Sequence, residues 1–298
     1  MASQSTVITS SSAISQSPVD KTETSPTGEM TALQALSRGP ILPGIPILPT
    51  YEKQRRHLLE HMAGAFRVFA RKGYTEGLAG HISVRDPENP HTFWTNPLGR
   101  PFGLMRASDM VLVNYDGKMV GGNMSRPVNA AGFLIHSALH KARPNVNAAC
   151  HTHSPYGKAW SAFARQLEMI NQDACVFYGQ AQSVYEEFGG VVFDEAEGRR
   201  LADSLGKEGK GMVLRNHGLL TVGQTVDEAA YLFTLMERSC QVQLLVEAAA
   251  ANGIPKQYVG EAEAAYTFKM TSDPESLYCE FQPDLEAEDV LCNGDFRN

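Results

Sequence analysis

Residues 146–155, which read VNAACHTHSP, decide the fold of this chain. The small and apolar run that ends at Cys150 is typical of a buried strand, and Pro155 stops it. Residues i and i+2 of a strand project to one face, so the strand end presents His151 and His153 together. Two imidazoles about 6 to 7 Å apart can share a metal ion. The stretch therefore indicates either a strand that delivers two metal ligands or two histidines that pack or hydrogen-bond.

A third candidate ligand, His217, lies in LRNHGLL at residues 214–220. This is another predicted strand end, where Gly218 permits a sharp turn beside the imidazole. Three histidine ligands with an open coordination position are typical of catalytic rather than structural zinc. His151 and His217 are 66 residues apart, so the spacing alone does not bring them together.

A second histidine pair, His136 and His140, has the i and i+4 spacing of one helix face. No Glu accompanies the pair as in the H-E-x-x-H motif, so neither residue is predicted to bind metal. We expect His140 to lie on the surface and His136 to be hydrogen-bonded in the core or behind the site.

The periodicity on either side of the histidine strand predicts an α/β domain. Helices are expected over residues 52–72, 128–141, 196–205 and 225–251. Strands are expected over residues 81–84, 92–95, 110–114 and 146–151, and residues 212–222 are expected to form a strand pair bent at Gly218. Thr225 and Glu228 have the spacing of a capping box at the start of the last helix.

The two ends of the chain differ from its middle in composition. Residues 1–50 are expected to be a disordered tail rich in Ser, Thr and Pro, to about residue 28, followed by an extended lead-in. The main domain is expected over residues 51–254. Residues 255–298 are expected to form a C-terminal arm over this domain or a neighbouring subunit, with a solvated tail as the alternative.

Composition excludes several classes of protein. The 298 residues carry a net charge of −7 and contain no dense basic block, so a nucleic-acid partner is not expected. The apolar runs are shorter than the roughly 20 residues that span a bilayer, so membrane insertion is not expected. The 5 scattered cysteines favour a reducing compartment. Without a recognisable targeting segment, a cytoplasmic location is the default expectation.

Six ordered motifs between residues 77 and 218 resemble those of the class II aldolase/adducin family. They are GLAGHISVR at 77–85, TNPLG at 95–99, the hairpin at 109–117, His136 with RPNV at 143–146, HTHSP at 151–155, and NHG at 216–218. The resemblance covers about residues 55–250. It implies a three-layer α/β/α domain with a mostly antiparallel central sheet, usually in a homotetramer with a divalent metal at a subunit boundary.

Carried over by position, His151, His153 and His217 fall on the family's three metal-binding histidines. The resemblance implies a divalent metal, Zn²⁺ in the first place and Fe²⁺ or Mn²⁺ as alternatives. In the sugar-phosphate aldolases of the family, the metal polarises a carbonyl and stabilises the enediolate formed when a C–C bond breaks or forms.

The departures from those aldolases lie in the pocket. Gly132 stands where they carry a proton-shuttling Glu, and Ala130 and Ala131 stand where they carry phosphate-binding serines. Their catalytic Tyr falls near Gln172, and His81 replaces a phosphate-contacting Asn. An aldolase of the usual sugar-phosphate mechanism is therefore not expected.

The remaining site residues are assigned as candidates. Catalytic candidates are His136, Gln172 and Asp173. Substrate-binding candidates are His81, Asn96 and Asn129. No residue replaces the family's Glu at its own position, so the proton donor stays open.

Three functions are compatible with this pattern. The first is a divalent-metal-dependent lyase that acts by aldol-type cleavage or decarboxylation on a small, unphosphorylated carbonyl compound. The second is an adducin-like interaction module without catalysis, since adducin-like members share the Ala130-Ala131 context. The third is an iron-dependent oxidative decarboxylase on the same fold. The expected partners are a small-molecule substrate and further copies of the chain.

Overall fold

The computed structural model describes residues 30–190 and 195–298. The predicted disordered tail at residues 1–28 lies outside the described residues. None of the helices in the described ranges combines the length and the apolar character needed to cross a membrane.

The described residues contain one eight-stranded sheet with the order β4-β3-β2-β1-β5-β8-β7-β6. Its strands are β1 His81–Arg85, β2 Thr92–Thr95, β3 Val111–Asn114, β4 Met119–Gly122, β5 Ala148–Thr152, β6 Gln182–Tyr185, β7 Gly211–Leu214 and β8 Gly218–Gly223. Only the pairing of β6 with β7 at one edge is parallel. The predicted central strand is β5, which lies between β1 and β8.

Eight α-helices are present in the described residues. They are α1 Ala32–Leu36, α2 Tyr51–Arg71, α3 Ala130–Ala142, α4 Pro155–Ser161, α5 Glu195–Leu205, α6 Val226–Ala251, α7 Glu261–Thr271 and α8 Pro274–Cys292. Short 3-10 helices cover Phe102–Leu104, Ala107–Asp109, Asp173–Phe177, Gly179–Ala181 and Asp295–Arg297.

The helices cover both faces of the sheet. On one face, α2, α6 and α8 bury Phe66, Phe233 and Phe281 in the largest apolar cluster. On the other face, α3 and α5 bury Leu139 and Leu201 in a second cluster. This is the predicted three-layer α/β/α architecture with a mostly antiparallel sheet, and the prediction is confirmed.

The start of α6 differs in detail from the predicted capping box. Thr225 caps the helix by accepting a hydrogen bond from Glu228 N at 3.1 Å. The carboxylate of Glu228 accepts instead from Gln224 N at 2.7 Å, one residue before the cap, and forms an ion pair with Lys210. The ion pair fixes the helix start against the strand that follows the loop at residues 206–210.

The C-terminal residues fold onto the main body of the chain. Leu277, Phe281 and Phe296 are fully buried in the cluster shared with α2 and α6. The acidic side of α8 is paired with basic residues, as in the contact between Glu288 and Arg71 at 2.7 Å. A solvated tail does not describe this segment.

Candidate metal centre

The pairing of β5 with β8 brings the distant histidines together. Thr152 of β5 lies opposite Leu219 of β8, so the end of β5 meets the start of β8. His153 follows β5 and His217 precedes β8, and both therefore lie at one edge of the sheet. A Cβ at Gly218 would come within 2.9 Å of the Thr152 carbonyl oxygen, so this turn needs glycine.

The three predicted ligands form one cluster. The candidate ligand atoms of His151, His153 and His217 all lie within 4.8 Å of one another. His151 Nδ1 lies 2.7 Å from the carbonyl oxygen of Leu219, which can only accept, so this nitrogen donates and Nε2 stays free. Such a contact fixes the tautomer and ring orientation of a metal-binding histidine.

All three imidazoles are held in the form that binds metal. Burial lowers the pKa of His151 well below its ordinary value of 6.5, and the neighbouring His217 lowers it further. Burial lowers the pKa of His217 to about 4 and also lowers the pKa of His153. Neutral imidazoles offer a lone pair without first losing a proton. The donor set of three neutral nitrogens fits a divalent metal ion.

A cavity of about 400 Å³ opens over this cluster. Its walls include the apolar side chains of Ala131, Ile135 and Phe188. Lys158 reaches the cavity edge and forms an ion pair with Glu76. A ligand in this cavity would contact the metal site at one end and apolar surface along its length.

The predicted substrate-binding residues His81 and Asn129 both line the cavity. Asn129 also caps α3, because its side-chain oxygen accepts a hydrogen bond from Gly132 N at 2.9 Å. Asn96 is buried beside the cavity wall, 3.5 Å from the carbonyl oxygen of Gly80, and does not line the cavity.

The imidazole of His81 fills the space beside Gly132. A Cβ added at Gly132 would lie 2.5 Å from Cδ2 and 2.8 Å from Nε2 of His81. Position 132 therefore has no side chain because a ring from the neighbouring strand β1 occupies its place. The sequence shows Gly132 and His81 as two separate departures from the family pattern. It does not show that the His81 ring occupies the space of a side chain at position 132, because only the tertiary contact between β1 and α3 brings the two residues together.

His136 lies one layer behind the cavity. Its Nε2 is 2.6 Å from Nδ1 of His81, and its Nδ1 contacts the hydroxyl of Ser83. The same hydroxyl lies 2.8 Å from Nε2 of His140.

The expectation that His140 lies on the surface is wrong, because its side chain packs against β1 with 1% of its area exposed. The apolar ring of Phe93 covers it.

Gln172 and Asp173 lie apart from this cavity. Both are exposed, at the start of the 3-10 helix Asp173–Phe177, and neither lines the cavity in the described chain. Their catalytic role stays a prediction.

Glu237 supports the ligand loop and was missed by sequence reasoning. From α6, its carboxylate accepts hydrogen bonds from the Ser154 hydroxyl, from Tyr156 N at 2.8 Å and from Gly157 N at 2.6 Å. These donors belong to the start of α4, directly after His153. Burial raises the pKa of Glu237 despite these bonds. A single Glu in a long helix offers no sequence signal for this role.

The fold and the histidine cluster agree with the comparisons to known proteins. The family model described as Class II Aldolase and Adducin N-terminal domain matches residues 60–244. The chain belongs to the class II aldolase and adducin family.

Several relatives are similar over most of this chain. The meiotically up-regulated gene 14 protein of Schizosaccharomyces pombe is 45% identical and covers 85% of this chain and 96% of its own length. Decarboxylase NovR of Streptomyces niveus is 44% identical, and the match covers 72% of this chain and 78% of that protein. The 4-hydroxy-3-prenylphenylpyruvate oxygenase/4-hydroxy-3-prenylbenzoate synthase of Streptomyces roseochromogenus is 45% identical, and the match covers 71% of this chain and 76% of that protein.

A solved structure shares the fold as well. The L-fuculose 1-phosphate aldolase from Glaciozyma antarctica is 41% identical, with a TM-score of 0.77, and covers 85% of this chain and 97% of its own. Enzymes of lyase type are thus among the proteins that this chain is similar to.

Proposed function

We propose that this protein is a divalent-metal-dependent lyase that acts on a small, unphosphorylated carbonyl compound by aldol-type C–C cleavage or decarboxylation. The observation that carries the proposal is the cluster of three neutral imidazoles beneath a cavity of about 400 Å³. His151, His153 and His217 would hold the ion, with Zn²⁺ as the first choice. A bound divalent ion supplies a Lewis acid that polarises a carbonyl oxygen.

The charges around the cavity support an unphosphorylated substrate. Among the described residues that line it, Lys158 carries the one positive charge, and Glu76 already pairs with this ammonium. Phosphate recognition normally uses several charged or backbone donors. Ala131 offers no side-chain donor, and Asn129 occupies the N–H of Gly132.

The apolar walls support a substrate with an organic side group. Ile135 and Phe188 flank the cavity and would exclude water from a group bound beside the histidines. Two relatives bear the names of a decarboxylase and of a prenylphenylpyruvate oxygenase. Both names are compatible with a 2-oxo acid or related carbonyl compound as the substrate class.

Metal analysis with a matched pair of histidine variants tests the proposal. The purified protein is expected to hold about one divalent ion per chain. His153→Ala should lose the ion, whereas His91→Ala, which alters an exposed histidine, should retain it. Both variants and the wild type are then assayed against a panel of 2-oxo acids and hydroxycarbonyl compounds. Turnover that survives in His153→Ala would contradict the metal-dependent lyase.

An iron-dependent oxidative decarboxylase is the second candidate. One 45% identical relative bears the name of an oxygenase, and three imidazole nitrogens also suit Fe²⁺. Assays with and without O₂ distinguish the two reactions, because aldol-type cleavage and simple decarboxylation need no oxidant. A metal-loaded protein that turns over no compound of the panel under either condition would instead favour an adducin-like interaction module.

We also propose that the protein works as a homotetramer in the cytoplasm, as the family resemblance implies. Light scattering during gel filtration of the full chain measures the assembly. A monomer at the working concentration would contradict this part of the proposal.

A further inference from the structure

A row of buried polar groups runs from the cavity into the layer between the sheet and α3. It begins at His81, whose Nδ1 lies 2.6 Å from Nε2 of His136. The hydroxyl of Ser83 contacts His136 Nδ1 and lies 2.8 Å from Nε2 of His140. The row ends where Nδ1 of His140 lies 3.3 Å from the carbonyl oxygen of Val146.

The final group in the row decides the direction of every hydrogen bond in it. A carbonyl oxygen only accepts, so Nδ1 of His140 carries the proton in that contact. A neutral imidazole has one N–H, so Nε2 of His140 is an acceptor and the hydroxyl of Ser83 donates to it. The oxygen of Ser83 then accepts from Nδ1 of His136. The remaining nitrogen of His136 must accept, so His81 donates from Nδ1.

The two imidazoles at the inner end of the row, His140 and His136, are neutral, as this reasoning requires. Burial lowers the pKa of His140 to about 3. Burial also holds the pKa of His136 well below 6.5, and the neighbouring imidazole of His140 lowers it further. If every hydrogen bond of the row were reversed, a lone pair on Nδ1 of His140 would face the lone pairs of the Val146 carbonyl oxygen. This buried nitrogen would then lack a hydrogen-bond partner.

We propose that this row fixes His81 as the Nδ1–H tautomer, so that its unprotonated Nε2 faces the metal cavity and accepts a hydrogen bond from a substrate O–H or N–H group. His81 lines the cavity, and its Nε2 makes no hydrogen bond with the described residues. His136, Ser83 and His140 are then positioning residues that act through His81.

The proposal narrows the substrate class, and in this respect it rests on the proposed function. A carbonyl compound that carries a hydroxyl, enol or amine group close to its carbonyl oxygen would satisfy the free nitrogen. A carboxylate or phosphate oxygen at the same place would face a lone pair, because it has no proton to donate. The site thus selects a hydrogen-bond donor beside the metal.

Nitrogen NMR of histidine-labelled protein reads the tautomer directly. Long-range ¹H–¹⁵N spectra are recorded at pH 7 on the zinc-loaded protein and on the chelator-treated protein, with His81→Asn used to assign the His81 signals. We expect a protonated Nδ1 and an unprotonated Nε2 for His81 in both samples. An Nε2–H tautomer or a doubly protonated ring would overturn the proposal, and so would an Nδ1–H tautomer found only with zinc.

Two serine variants test whether the row sets the tautomer. Ser83→Ala interrupts the row, whereas Ser137→Ala removes a buried hydroxyl that lies outside the row and donates to the Leu134 carbonyl. We expect the His81 signals to move toward a tautomer mixture in Ser83→Ala and to stay in place in Ser137→Ala. Unchanged signals in a folded Ser83→Ala would overturn the role of the row. If Ser83→Ala does not fold, the wild-type spectra still decide the tautomer.

Glycolate and methoxyacetate test the acceptor role, because methoxyacetate carries a methyl group in place of the hydroxyl proton of glycolate. Each is titrated into the zinc-loaded protein while the His81 Nε2 signal is followed. Glycolate is expected to shift this signal, because the nitrogen accepts a hydrogen bond from its hydroxyl. Methoxyacetate is expected to leave the signal unchanged. Equal effects of the two compounds would overturn the acceptor role. Absence of bound metal or of turnover would contradict the lyase but leave the tautomer of the chelator-treated protein measurable.

Discussion

At the scale of residues, the site depends on side chains that leave room for one another. Gly132 has no side chain, and the ring of His81 lies where a side chain would begin. The same ring touches His136 behind it and His151 beside it. The position of His81 is therefore set by packing from three sides rather than by its own rotamer preference alone.

We expect Gly132→Ala to displace the imidazole of His81. The added methyl would lie 2.5 Å from the ring, and overpacking of this kind costs about 1 to 3 kcal/mol. Urea unfolding measures the loss. Gly103→Ala serves as the control, because its new methyl would meet Ala70 at an ordinary 3.5 Å. Equal stability of the two variants would contradict the packing of His81 on Gly132.

Acid is expected to destabilise the protein through His140. Its pKa is about 3 when folded, against 6.5 for an ordinary histidine, so the unfolded chain binds more protons between these values. The free energy of unfolding therefore falls as pH drops from 6.5 toward 3, by up to about 1.4 kcal/mol per pH unit for each such histidine. Unfolding of wild type and His140→Gln is compared from pH 7 to 4. A variant with the same pH slope as the wild type would refute this assignment.

At the scale of elements, strand pairing makes the metal site. β5 alone supplies His151 and His153, and the hydrophobic pattern of residues 146–151 made this strand predictable. The third ligand enters because β8 pairs with β5 and turns sharply at Gly218. The spacing of residues in the sequence does not reveal that strand pairing. Only the resemblance to a known family therefore predicted that His217 joins His151 and His153.

Glu237 ties α6 to α4 and is expected to hold the loop of His153. Glu237→Ala leaves buried donors without an acceptor, which costs about 1 to 3 kcal/mol. Because His153 directly precedes this loop, metal affinity should also fall by about 10- to 100-fold. Unfolding curves and metal titration measure the two effects. Glu247→Ala, which truncates a half-buried carboxylate of the same helix that pairs with Lys256, should change neither by a comparable amount. Undiminished metal affinity in Glu237→Ala would contradict this supporting role.

Elements without a clear hydrophobic period were the ones that the sequence did not predict. Strand β6, which reads QSVY, lies at an edge and shows no strict alternation of buried and exposed residues. Helix α8 contains Pro283 and a run of acidic residues, which obscure its buried positions Leu277, Phe281 and Leu285. Those three positions do follow i, i+4 and i+8 spacing, so the signal was present but weak.

At the scale of the whole molecule, the C-terminal helices complete the core. Leu277 and Phe281 share one apolar cluster with Phe66 of α2 and Phe233 of α6. The same cluster reaches the strands that carry the histidines through Cys150 and Leu219. Loosening of the last helix is therefore transmitted by direct packing toward the site.

Phe281→Ala is expected to lower the free energy of unfolding by about 3 to 5 kcal/mol, because the side chain is fully buried in that cluster. Tyr266→Ala, which truncates an aromatic residue with 67% of its area exposed, should change it by less than about 0.5 kcal/mol. Thermal unfolding of both variants is followed by circular dichroism. A small effect of Phe281→Ala would mean that the arm is not part of the core.

The shared volume of His81 and Gly132 has an evolutionary consequence. A lineage that changes Gly132 first displaces the imidazole, and one that changes His81 first opens a void against α3. Either single step is harmful before the second can compensate for it, so the two residues are expected to be inherited as a pair. Relatives with Gly and His at these positions should share this pocket, and those with a larger residue at one position should differ at the other.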